Sequence, residues 1–91
     1  MITLSLRGQH TASVVSRRIG DETVLVDMSQ GVYFGLNAVG SQIWLLLGEG
    51  ISLSEIAQAL VAKYDVPQVE VEQDVLRITQ QLIDRGLLQP Q

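Results

Sequence analysis

Between Thr23 and Leu47 the hydrophobic period changes from two to about 3.6 with no loop in between, and Asn37 marks the change. Any fold for this chain must therefore set the end of a strand directly against the start of a helix. Upstream of Asn37, Val24, Val26 and Met28 alternate with Leu25 and Asp27, and Val32, Phe34 and Leu36 alternate with Tyr33 and Gly35. Ser29-Gln30-Gly31 joins these runs as a turn, with Gly31 free to take positive φ, so Thr23–Met28 and Val32–Leu36 are predicted to pair antiparallel. Downstream, Asn37 is a suitable N-cap for a helix over Ala38–Leu47, which Gly48 and Gly50 end.

The mixed β-branched and polar stretch Thr11–Ile19, followed by the Gly20-Asp21 turn, supplies a strand in front of this hairpin. Three sequential strands make a meander whose last member, Val32–Leu36, needs no partner on its far side. Such an open row of backbone N–H and C=O groups is a hazard unless it is covered or used. Ile2, Leu4 and Leu6 alternate with Thr3 and Ser5, which predicts a further short, half-buried terminal strand.

Within the first helix Val39, Ile43, Leu46 and Leu47 form an apolar face, Gly40 permits close approach of another element, and Trp44 reads as a core anchor rather than a ligand-stacking ring. Ser52 with Glu55 is a capping box opening a second helix through about Tyr64, with Leu53, Ile56, Ala57, Leu60 and Val61 inward. Asp65-Val66-Pro67 stops it. A third helix starts near Gln68 and runs to about Arg85, with Gly86 as its stop and Leu87 and Leu88 packing back or extending as a tail. At about 100° per residue, Val71, Val75, Ile78 and Leu82 form its core stripe, and Val69, Leu76 and Ile83 a second stripe rotated by roughly 120°. Glu70, Asp74, Arg77, Gln81 and Asp84 take the wet side. The second stripe either faces a partner or packs on the first two helices. The fold class is α+β, a three-stranded antiparallel sheet followed by three helices in a winged helix-turn-helix-like arrangement.

With 91 residues the chain is one small domain spanning 1–91, which buries only roughly 60 to 65% of its unfolded surface. Hydrophobic residues make up 46%, but there are only one Phe, two Tyr and one Trp, so the core must be mainly Leu, Ile, Val and Ala. A net charge of -4 with no run of Lys or Arg argues against nucleic acid as a partner. Zero cysteines exclude disulfides and thiolate metal sites, and His10 alone cannot build a metal site without carboxylates. The chain has no Gly-rich phosphate loop, no Cys nucleophile and no HExxH, so it is not expected to be an enzyme or to hold a cofactor. Asp27 and Asp74 read as turn or surface carboxylates rather than proton-transfer groups. Arg17 and Arg18, adjacent on a strand, point to opposite faces and read as solubilising or salt-bridging. The start MITLSLRG carries neither a signal sequence nor a membrane span, which places the expectation in the cytoplasm, away from membranes.

The segment Leu25-Val26-Asp27, then Gly31, Tyr33, Leu36-Asn37, Gly40 and Ile43-Trp44, continued by Asp74-Val75, Ile78, Leu82 and Gly86-Leu87-Leu88, resembles the PqqD-like peptide chaperones, also called RiPP precursor recognition elements. The resemblance spans roughly residues 10 to 88. Asp27, Gly31 and Tyr33 together look more like the stand-alone recognition proteins of lasso-peptide clusters than the pyrroloquinoline-quinone chaperone. The chain departs from the pattern at Thr79, where the family usually has Leu, and at Leu76, where it usually has a polar residue.

The resemblance implies that the leader of a ribosomally made precursor peptide binds as an added strand on Val32, Tyr33, Phe34 and Gly35, in the cleft against the third helix. On that helix Leu76, Gln80 and Ile83 are expected to line the pocket, with Asp74 or Arg77 reading leader charge. For a lasso system it also implies presentation of the leader to a transglutaminase-like leader peptidase and then a cyclase. The open edge further allows a homodimer when no leader is present. Two rivals stand beside this reading. A winged-helix DNA-binding domain would need a basic recognition helix, whereas the second helix offers Lys63 alone and the third sets Arg77 and Arg85 among Glu70, Glu72, Asp74 and Asp84. A chaperone of another biosynthetic enzyme, including the radical-enzyme quinone-cofactor pathway, is separated from the first reading by gene neighbourhood rather than by residues.

Overall fold

The computed structural model describes residues 2–91. The expected meander forms from β2 (Val14–Ile19), β3 (Glu22–Asp27) and β4 (Val32–Leu36), in the order β2-β3-β4. Gly31 takes φ 71° and donates its N–H to the Asp27 carbonyl at 2.7 Å, closing the β3–β4 turn. On β3 it is Thr23, Leu25 and Asp27 that are buried, while Val24 and Val26 look outward and Met28 is exposed. On β4 the inward parity is Val32, Phe34 and Leu36.

Three helices follow, α1 (Ala38–Gly48) packed against the inner side of β3 and β4, and α2 (Leu53–Tyr64) and α3 (Gln68–Asp84) packed on α1 and on each other. Asn37 caps α1 as expected, its side chain accepting the Gly40 N–H at 2.9 Å. The Ser52 hydroxyl accepts from the Glu55 N–H at 3.3 Å and donates to the Glu55 carboxylate at 3.0 Å. The core gathers Leu25, Ile43, Trp44, Leu47, Leu53, Ile56, Leu60, Val75, Ile78 and Leu82 with Leu87 and Leu88 from the C-terminal end. Leu36 closes it at the strand-to-helix junction.

One expectation for the termini needs correction. Residues 2–6 form no strand, although Ile2, Leu4 and Leu6 are half-buried against the core. The carbonyls of Leu4 and Leu6 accept from Ser54 and Leu53, two of the N–H groups left open at the start of α2, so this segment caps a helix rather than pairing in a sheet. The strand that does form is β1 (Gly8–His10), paired antiparallel with β5 (Leu88–Pro90) as a separate ribbon. Gly8 is required there, because a Cβ would lie 2.9 Å from Leu88 Cδ2.

His10 fastens this ribbon to α1. Its ring stacks on Trp44 with centroids 3.5 Å apart, and its Nε2–H donates to the Trp44 carbonyl at 2.8 Å. Trp44 is thereby a core anchor with one covered face. Burial pulls the His10 pKa below its ordinary 6.5, and the hydrogen bond to Trp44 opposes that only in part.

Candidate functional site

The site is built on β4, since the sequence between Gly31 and Asn37 leaves five residues for a strand and nothing to pair beyond it. β4 hydrogen-bonds only to β3, with Leu25 opposite Phe34 and Val26 opposite Tyr33, and among the described residues no strand occupies its outer edge. That edge runs beside α3. The groove between them has a volume of about 130 Å³ and is lined by Phe34, Gly35, Leu36 and Asn37 with Gly40 on one side, and by Arg77, Ile78 and Gln81 on the other. Gly40 keeps its floor open: a Cβ there would sit 3.1 Å from Leu36 Cδ2.

A second cavity of about 260 Å³ lies at the start of α3, between Val39 of α1, Leu60 and Tyr64 of α2, Val66, and Glu70, Val71 and Asp74. Its walls are mainly apolar, with the two carboxylates at one side. Val39 on α1 and Asp74 on α3 place it beyond the Leu36 end of the groove. At the other end the Arg85 guanidinium stands 4.8 Å above the Phe34 ring, bridging α3 to β4.

The residues singled out from sequence divide between this cleft and other surfaces. Val32, Tyr33, Phe34 and Gly35 all lie on the open strand, with Phe34 and Gly35 on the groove itself and Tyr33 pointing outward. Arg77 lines the groove and Asp74 the adjoining cavity, and the two form an exposed ion pair at 3.3 Å that contributes little to stability. Leu76, Gln80 and Ile83 line neither space. Leu76 and Ile83 lie about 140–160° around the helix from Ile78 and pack half-buried against the core, while Gln80 donates to Asp84 at 2.8 Å. The flank facing β4 is instead Arg77, Ile78 and Gln81, of which the helical projection assigns Arg77 and Gln81 to the wet side.

Asp27 supports the site from behind. Its carboxylate is 1% exposed and accepts from the Ser13 hydroxyl at 2.8 Å, the Ser29 hydroxyl at 2.8 Å and the Ser29 N–H at 3.0 Å. The Ser13 hydroxyl, then the Ser29 hydroxyl, hold its pKa below the ordinary 3.8 against the opposing effect of burial. It is a turn carboxylate, but a buried one that ties the β3–β4 turn to the approach of β2. Among the described residues no cluster of three or more His, Cys, Asp or Glu side chains is placed to hold a metal, and no helix is long and apolar enough to cross a membrane.

The family model for coenzyme PQQ synthesis protein D (PqqD) matches residues 22–88, from the first residue of β3 to the first of β5. The chain belongs to the PqqD family. Among solved structures, TbiB1 in complex with the TbiA(beta) leader peptide is similar over 88% of this chain and 93% of that one, at 44% identity and a TM-score of 0.82. The lasso peptide synthetase B1 complexed with the leader peptide matches over 90% of this chain and 96% of that one, with a TM-score of 0.83 at 24% identity, a likeness of fold alone. No curated protein sequence matches the chain. This PqqD-family member thus has the sheet and three helices expected of it, with β4 at the sheet edge.

Proposed function

We propose that this chain binds the leader segment of a ribosomally synthesised precursor peptide by strand addition to β4, and presents it to a leader peptidase and then a cyclase in lasso-peptide biosynthesis. One observation carries the reading: the sheet ends on an unpaired strand that borders a groove, in a chain 44% identical to a protein whose structure holds a leader peptide. Backbone pairing along Val32–Gly35 gives affinity with little sequence demand. The apolar cavity beside it supplies the remainder. A disordered leader loses about 2 to 5 kcal/mol of freedom on binding, and a micromolar complex still needs about 8 kcal/mol net. Edge hydrogen bonds that largely replace bonds to water do not reach that sum, so an apolar leader side chain in the cavity at Val39, Leu60 and Val71 is required. Arg77, Asp74 and Arg85 then read leader charge, and Ile78 and Gln81 form the wall that Leu76, Gln80 and Ile83 were expected to form.

The PqqD family match favours a second reading, a peptide chaperone for a radical enzyme of a quinone-cofactor pathway. The two use the same cleft and differ in the peptide. A synthetic leader from the neighbouring precursor gene, titrated by calorimetry, is expected to bind at micromolar or tighter. Phe34→Pro, which removes an N–H and stiffens the strand, is expected to abolish binding, while Phe34→Leu preserves it. A precursor leader that does not bind the wild-type chain at hundreds of micromolar overturns the lasso reading.

A further inference from the structure

One exposed stripe of polar side chains runs along α3 for the length of the cleft. At about 100° per residue Glu70, Asp74, Arg77, Gln81 and the C-cap residue Arg85 fall within about 80° of arc, and all five are exposed. The stripe is ordered by charge. Glu70 and Asp74 stand at the cavity beyond Leu36, Arg77 and Gln81 line the groove, and Arg85 stands over Phe34. A Cβ on Gly86 would lie 3.8 Å from the Gln30 side chain in the β3–β4 turn, so α3 ends where β4 begins and the two run antiparallel. The helix macrodipole accounts for an acid in the first turn and a base at the end. It does not account for their sharing one face, nor for Arg85 standing over an aromatic ring of the strand. Among the described residues Glu70 and Arg85 form no ion pair, and the Asp74–Arg77 pair is exposed and weak, so all four charges are open to a peptide. Lys63, next to the cavity residue Tyr64, stands over that ring at 5.6 Å and pairs with neither carboxylate.

We infer that this stripe selects leaders by their order of charge, a basic residue followed about five positions later by an acidic one, and thereby fixes the direction in which the peptide lies. The inference rests on strand addition at β4 and names the peptides that site accepts. Every pairing within the three-stranded sheet is antiparallel, and antiparallel pairs are slightly the more stable per residue. A strand added antiparallel to β4 runs parallel to α3. Its N-terminal part then passes Glu70 and Asp74, and its C-terminal part passes Arg77 and Arg85. The helix rises about 16 Å between Asp74 and Arg85, which an extended peptide covers in about five residues. Laid in reverse, the same peptide sets its carboxylate against Asp74 and its cation against Arg85, two like-charge contacts in place of two opposite ones. Backbone pairing separates the two directions only slightly, so the charges decide between them.

The test titrates the purified chain by calorimetry with two peptides. One is the synthetic leader of the neighbouring precursor gene, and the other is its charge-inverted counterpart, in which Lys and Arg become Glu while Asp and Glu become Lys. The native leader is expected to bind about tenfold more tightly at low salt, a ratio that shrinks as salt approaches about 1 M. The chain carrying Glu70→Lys, Asp74→Lys, Arg77→Glu and Arg85→Glu keeps its net charge and is expected to reverse the preference, which an effect of bulk charge would not do. Should that chain fail to fold, Glu70→Gln and Arg85→Gln are each expected to weaken the native leader about threefold and the inverted one not at all. A nitroxide on the native leader's N-terminus is expected to broaden the amides of Leu36–Val39 and to spare Ser29–Val32. A native leader that does not bind the wild-type chain overturns the function proposed above. A native leader that binds, with its inverted counterpart within twofold or with the broadening at Ser29–Val32, overturns this inference alone.

Discussion

Thr79 sits in the core at 0% exposure, and its hydroxyl has no hydrogen-bond partner among the described residues. A buried hydroxyl that has left water without a partner costs about 1 to 3 kcal/mol. Thr79→Val keeps the branched shape and removes the polar atom, so it is expected to raise stability by about 1 kcal/mol, read as a higher denaturant midpoint at unchanged slope. Two titrating side chains make the pH dependence of stability specific. His10 has its folded pKa below 6.5, so in the window just under that value the unfolded chain binds more protons. Its contribution is present above 6.5 and is lost as pH falls through the lower folded value. Asp27, depressed below 3.8, acts in the same direction in a separate, more acid window. The stability gap between wild type and Asp27→Asn is therefore expected to close only below about pH 3.8, whereas the gap to His10→Phe changes just under 6.5. Urea melts at a series of pH values check both.

At the scale of elements, the β3–β4 turn and the flank of α3 are the parts on which binding depends. Gly31 holds φ 71°, and Gly31→Ala is expected to cost about 1–2 kcal/mol and to loosen β4, measured as a lower denaturant midpoint together with weaker leader affinity. On α3, Arg77→Glu is expected to change leader affinity several-fold, whereas Gln80→Glu, on the far side of the groove wall, leaves it within twofold. The hairpin, the capped helices and the core stripe Val71, Val75, Ile78 and Leu82 were legible in the sequence because each repeats a period over several residues. β1 and β5 were not, since three-residue strands show no period and their partners lie at opposite ends of the chain. The alternation of Ile2, Leu4 and Leu6 was visible but arises from a different constraint, carbonyls turned to the first turn of α2. The groove flank of α3 was illegible for another reason. Polarity assigns Gln81 and Arg77 to water, and only the rotation of the helix against its neighbours tells that this water-facing side is also the side nearest β4.

For the whole molecule, the distribution of surfaces argues for recognition. Helix α1 packs on the inner side of β3 and β4, one edge of the sheet stays open beside a groove, and the outer face leaves Val15, Ile19 and Tyr33 exposed. Its acidic balance repels phosphate, and binding to random duplex DNA at low salt is expected to be absent. The central claim, that a leader pairs along β4 against α3, is tested most directly by following backbone amide resonances during titration with the precursor leader. The expected result is a set of shifts concentrated on Val32–Leu36 and on Arg77, Ile78 and Gln81, with the amides of the open edge newly protected from exchange. Shifts confined to the β1–β5 ribbon, or to the Leu76, Gln80 and Ile83 flank with β4 unmoved, would contradict it.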